Sequence, residues 1–167
     1  TIFHNVTLEI NVLPFVLPPP ILDYAFYYEG KLNDSDQPVI DSGLKSEKQM
    51  KAELEDMVAH GLNNATVLHK VDKDLTQWGK DWLRLKKILD IRKEVGWGNQ
   101  PLLYLDWAVS FKDNLDIYKE KIRQIRSIAK ENGIDELYIY GVDERQGDEL
   151  AALKPLYQSV HEAGAKN

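Results

Sequence analysis

The chain has 167 residues, 21 Lys and Arg against 27 Asp and Glu, 43% hydrophobic and 10% aromatic content, and no cysteine. That is one globular domain's worth of sequence with enough apolar content for a core, and it is neither disordered nor fibrous. The net charge of −6 argues against a nucleic-acid partner or an anionic membrane surface, because both draw on surplus Lys and Arg, and the lack of cysteine excludes disulfides, thiolate nucleophiles and zinc-thiolate sites.

Residues 6–12 read VTLEINV, with Val6, Leu8, Ile10 and Val12 alternating against Thr7, Glu9 and Asn11, which is the period of a half-buried strand. LPFVLPPP follows, and its prolines at 18–20 remove backbone donors and enforce extended geometry. Residues 1–20 therefore read as the last strand and exit linker of a β-rich domain lying upstream, and 21–167 as a separate α/β unit.

DYAFYYEGKL at 23–32 is aromatic and strand-like. Ser46, with Gln49 three residues on, is a capping box that opens a helix; Met50, Leu54, Met57 and Val58 share its buried face, and Gly61 stops it. NATVLHKV at 64–71 is a second strand, followed by a helix with Trp78, Trp82, Leu85 and Leu89 on one stripe, ending near Gly96. The run PLLYLDWAV at 101–109 is nearly all apolar, as in a strand buried on both faces. Asp113 or Asn114 caps the next helix, which buries Leu115, Tyr118, Ile122, Ile125 and Ala129 and closes at Gly133. ELYIYGVDE at 136–144 is the fourth strand. A last helix starts at Asp148, is kinked or restarted at Pro155, and runs to Gly164.

Strand and helix thus alternate four times, a pattern that demands parallel strands joined by right-handed crossovers. No span approaches the roughly 20 apolar residues of a membrane helix. EAGAKN leads from a helix-closing glycine toward a fifth strand that would begin where the sequence stops. Four such units make the first half of a (β/α)8 barrel, whose usual length is roughly 250 residues. The alternative is a complete small doubly wound sheet.

Ligands of parallel sheets bind at the carboxyl ends of strands. Those ends carry Tyr28 and Glu29, His69, Asp106 and Trp107, and Asp143 and Glu144. An acidic and aromatic set of this kind suits carbohydrate, whose C–H faces stack on aromatic rings and whose hydroxyls bond carboxylates. Each residue has a plainer reading. Glu29 could begin a polar loop, His69 could be a hydrogen-bonded structural residue, and Asp106 and Trp107 could simply pack. The adjacent pair Asp143-Glu144 is the sharpest feature. Consecutive strand residues point to opposite sides, so such neighbours serve one substrate only where the strand ends. There they can divide the labour, one protonating a glycosidic bond and the other addressing a neighbouring substituent. The plainer reading pairs Glu144 with Arg145 or Lys166.

The Pro-rich exit VLPFVLPPP, the segments DYAFYYEGKL and SEKQMKAELEDMVAHGLNNATV, and above all ELYIYGVDE followed by a helix ending HEAGAKN resemble glycoside hydrolase family 123 and related barrel proteins. The resemblance implies a β-sandwich followed by a (β/α)8 barrel, and removal of a terminal β-N-acetylgalactosamine by substrate-assisted, retaining hydrolysis. It implies Glu144 as general acid/base and Asp143 as the residue that orients the acetamido group. Tyr28, Glu29, His69, Asp106 and Trp107 would bind the sugar. The later strands of such a barrel are not in this chain, so it is not expected to be active alone. The other expectation is a non-catalytic carbohydrate-binding or surface-protein module on the same scaffold. No cofactor is implied, and His4, His60 and His161 show no metal-ligand spacing. No phosphate-binding glycine loop or nucleophile elbow occurs. Trp78 and Trp82, four apart on a helix, are expected to pack on the sheet. Asn5, Asn33 and Asn64 fit the glycosylation sequon, and a half barrel with open edges could self-associate.

Overall fold

The computed structural model describes residues 7–16, 22–33, 43–71 and 74–167. Val6, the prolines at 18–20, His4, the sequon at Asn5 and most of that at Asn33 lie outside them. Short parallel strands alternate with helices, as the sequence pattern demands. In chain order they are β1 (Ala25–Phe26), β2 (Lys31–Leu32), β3 (Leu44–Lys45), α1 (Glu47–Ala59), β4 (Asn64–Ala65), β5 (Val67–Leu68), α2 (Trp78–Glu94), β6 (Leu102–Leu105), α3 (Leu115–Glu131), β7 (Leu137–Tyr140), α4 (Gly147–Ala151) and α5 (Lys154–Glu162).

The strands line up in sequence order. β1 pairs parallel with β4, β5 with β6 and β6 with β7, while β2 and β3 form a small parallel pair of their own. Only Thr66 separates β4 from β5, so residues 64–68 act as one extended segment that bonds β1 through its first half and β6 through its second. After α5 the chain turns at Gly164, whose φ of 83° a side chain would resist. Lys166 then pairs parallel with Tyr138, its N–H donating to the Leu137 carbonyl (2.8 Å) and its carbonyl accepting from Ile139 (2.7 Å). Lys166 thus makes an isolated parallel bridge beside β7.

A doubly wound sheet reverses its strand order and carries helices on both faces. Neither is seen among the described residues: neighbours follow chain order, and the helices pack α1 on α2, α2 on α3 and α3 on α5. The core lies between this helical layer and one sheet face, with Leu102, Tyr104, Tyr118, Ile122 and Ile125 fully buried. The register Phe26↔Ala65, Tyr104↔Ile139 and Leu105↔Tyr140 places Tyr27, Leu103, Leu105, Tyr138 and Tyr140 on the opposite face, because side chains alternate along a strand. An apolar cleft of about 410 Å³ opens over that face.

The helix boundaries follow their local chemistry. Ser46 Oγ accepts from Gln49 N–H while Gln49 Oε1 accepts from Ser46 N–H, completing the capping box. Asn114, rather than Asp113, caps α3 by accepting from Ile117 N–H at 3.3 Å. The last predicted helix is two, and Pro155 marks the second start, at the beginning of α5, where its missing N–H costs nothing. Trp78 and Trp82, which share one stripe, pack edge-to-face on each other at 5.3 Å.

Residues 7–16 pair with none of the described residues, and Leu8, Ile10, Val12 and Val16 stand exposed; alternation makes a strand only where a partner edge receives it, and the sequence analysis expects that edge in an upstream domain. The Asn64 side chain of the third sequon is buried, donating to the Pro101 carbonyl and accepting from Arg92. Arg92, itself buried, reaches from α2 to β4, bonds the Ala65 carbonyl at 2.9 Å, and is drawn down to about 10 by loss of hydration.

Candidate functional site

A cleft of about 340 Å³ opens at the carboxyl ends of β5, β6 and β7, with the segment after β1 along one side. Leu68, Leu105 and Tyr140 end their strands on its floor, and Glu29, Trp107 and Asp143 follow from the loops beyond. Tyr27 and Arg145 complete the wall. About half the surface of each of Tyr27, Trp107 and Tyr140 is open to solvent, so three aromatic rings are available for stacking. Lys31 Nζ lies 5.8 Å from the centroid of the Trp107 ring, close enough for a cation–π contact that biases its orientation.

The loop after β7 holds the acidic pair. Asp143 Oδ1 accepts the Glu144 N–H at 2.8 Å, and Glu144 sits at φ 56°, the one left-handed residue other than glycine among those described. That conformation costs a residue with a side chain on the order of 1 kcal/mol. Asp143 thus lines the cleft, whereas Glu144 turns at its edge, between two lining residues. The plainer reading of Glu144 has no support, since Arg145 pairs with Glu149 (3.0 Å) and Lys166 with Glu136 (2.8 Å). The Asp143 carboxylate also holds the Tyr140 phenol above its ordinary pKa. Gly141 lets β7 run close to the segment after β6, where an added Cβ would come 2.5 Å from that of Ala108.

Two expected ligand residues, Tyr28 and His69, lie outside the cleft lining, and a third, Asp106, turns its carboxylate away from it. Tyr28 faces inward: its ring folds over Gly30, its hydroxyl donates to Glu53 Oε2 at 2.7 Å, and Glu53 also binds Lys45. Burial and Glu53 together raise its phenol pKa strongly. Tyr27, its neighbour, takes the place in the cleft. His69 is buried beneath the floor with Nε2 unpartnered, its carbonyl accepting from the Tyr104 hydroxyl. Loss of hydration, and then the charge of Arg84, lower it to about 4, so at neutral pH it is an uncharged core group.

Asp106 borders the cleft, but its carboxylate is turned under the floor. The side chain is 1% exposed and bonds Lys121 Nζ at 2.5 Å, with Lys121 equally buried. What Asp106 shows the cleft is therefore main chain, and its oxygens cannot receive a ligand hydroxyl without moving. Lys121 also lies 4.5 Å from the centroid of Phe111, and the Tyr118 phenol beside the pair is raised by burial and by Asp106.

The sequence reading passed over Tyr27, Tyr140, Arg145 and Lys121. A signal for the last was present: Lys121 falls on the same helical stripe as Tyr118, Ile122 and Ile125, and a lysine on a buried stripe needs a buried carboxylate. No three His, Asp or Glu side chains converge to hold a metal ion among the described residues, nor is any helix there long and apolar enough to cross a membrane. Compared with protein-family models, curated proteins and solved structures, the chain matches none of them.

Proposed function

We propose that the chain is the first half of a (β/α)8 barrel of a glycoside hydrolase that removes a terminal N-acetylhexosamine, a β-linked N-acetylgalactosamine on the family resemblance, by substrate assistance. Parallel strands in chain order, the parallel bridge of Lys166 to Tyr138 beside β7 and the apolar cleft over one sheet face support the barrel reading. The observation that carries the functional reading is Glu144: a non-glycine residue held in left-handed backbone by Asp143, immediately after a strand, at the edge of an aromatic and acidic cleft. Strain of this kind concentrates at functional positions.

In this reading the sugar stacks on Trp107 or Tyr27. Asp143 accepts the acetamido N–H and directs the acetamido oxygen at the anomeric carbon, while Glu144 protonates the departing glycosidic oxygen. A cyclic oxazolinium ion forms as that bond breaks. Glu144, now a carboxylate, deprotonates the water that reopens it, and configuration is retained. The left-handed turn matters because two consecutive residues of a regular strand would face opposite ways.

The test uses the chain within any longer polypeptide that carries it. Glu144→Gln should remove most hydrolysis of an aryl N-acetyl-β-galactosaminide. Asp143→Asn should harm that substrate far more than the aryl galactoside lacking the acetamido group, and equal losses on both would argue against assistance. A second reading, a non-catalytic sugar-binding module, draws on the position of Glu144 outside the cleft lining. Sugar binding that survives Glu144→Gln, without turnover by the unsubstituted protein, would favour it.

A further inference from the structure

We infer that the cleft selects uncharged sugars and rejects their sulfated or uronate counterparts, with Glu29 and Asp143 as the residues that impose the choice. This rests on the carbohydrate reading above. Among the described residues the cleft wall carries Glu29 and Asp143, with Glu144 at its edge, against one lining cation, Arg145. That cation is already engaged by Glu149 at 3.0 Å. The third lining carboxylate, Asp106, is cancelled under the floor by Lys121 at 2.5 Å. Lys31 is directed at the Trp107 ring. The charge a ligand meets is therefore negative, in a protein of net charge −6.

A neutral sugar exploits this arrangement, because its hydroxyls and amide donate to carboxylates and its C–H face stacks on Trp107, Tyr27 or Tyr140. An added sulfate brings no new donor and meets like charge at close range, a repulsive element that produces specificity without improving the favoured ligand. The repulsion weakens as salt shortens the screening length, from about 30 Å at 0.01 M to about 8 Å at 0.15 M.

The experiment titrates the longest polypeptide carrying this chain, isotope-labelled, with N-acetylgalactosamine and separately with its 4- and 6-sulfates, following the amides of Trp107, Gly141 and Arg145. The neutral sugar is expected to move them, with each sulfate about tenfold weaker at low salt and the gap narrowing as salt is added. Glu29→Gln should narrow the gap at fixed salt. Sulfates that bind as tightly as the neutral sugar, or a gap indifferent to both salt and Glu29→Gln, overturn the charge selection and leave the carbohydrate reading standing. No shift with any of the three sugars overturns the carbohydrate reading and the selection with it.

Discussion

Lowering the pH from 7 to 4.5 should cost the fold roughly 2 kcal/mol through one side chain, His69. In the unfolded chain this imidazole takes up its proton near 6.5, whereas in the folded protein it resists down to about 4, first because burial strips its hydration and then because Arg84 and Lys121 stand nearby, while the Asp81 backbone opposes the shift. Between those values the unfolded state binds the proton and the native state does not, so unfolding is favoured as pH falls. The contribution is fully present above 6.5, is lost progressively between 6.5 and 4, and changes no further below 4. The span from 6.5 down to about 4 corresponds to about 3 kcal/mol in full, most of it lost by pH 4.5. Carboxylates titrate in the same range, so the measurement is a difference: urea unfolding of the native chain and of His69→Gln at pH 7, 6, 5 and 4.5. The substituted protein should gain about 2 kcal/mol relative to the native one across the series, whatever its stability at pH 7. A constant difference between the two proteins, or an imidazole that titrates near 6.5 in the native spectrum, would refute the reasoning.

Lys121→Met should destabilise by about 3 to 5 kcal/mol, because it strands the buried Asp106 charge; adding Asp106→Leu should recover most of that loss, as read by chemical unfolding of the single and double variants. Glu144→Gly should stabilise the chain by up to about 1 kcal/mol by relieving the left-handed backbone, while abolishing the proposed hydrolysis; a loss of stability would mean that Glu144 is not strained. Gly141→Ala should cost about 1 to 3 kcal/mol, since its methyl would overlap that of Ala108 and neither side can yield without moving backbone.

Most of the fold was legible because it is written in local chemistry. The Ser46 and Gln49 box, the Asn114 cap and the restart at Pro155 each specify a boundary through a few adjacent residues, and the structure places them there. The candidate site was legible only as a level in the fold, the carboxyl ends of the strands. The run YAFYY offers no polar alternation, so nothing in it says whether Tyr27 or Tyr28 faces the ligand; the pairing of Phe26 with Ala65, 39 positions further along the chain, decides it. Asp106 looks like a ligand group until Lys121 arrives from a later helix to claim it. VTLEINV shows the converse: its period is correct for a strand, yet a period cannot supply the partner on which pairing depends.

The central claim is that Asp143 and Glu144 stabilise a cyclic intermediate formed by the substrate's own acetamido group. A galacto-configured thiazoline, which mimics the oxazolinium ion, tests it most directly when its affinity is measured on the longest polypeptide carrying this chain. The account predicts binding at least about a hundredfold tighter than N-acetylgalactosamine, largely lost in Asp143→Asn. Equal affinity for the thiazoline and the sugar, or a thiazoline indifferent to Asp143→Asn, would contradict it.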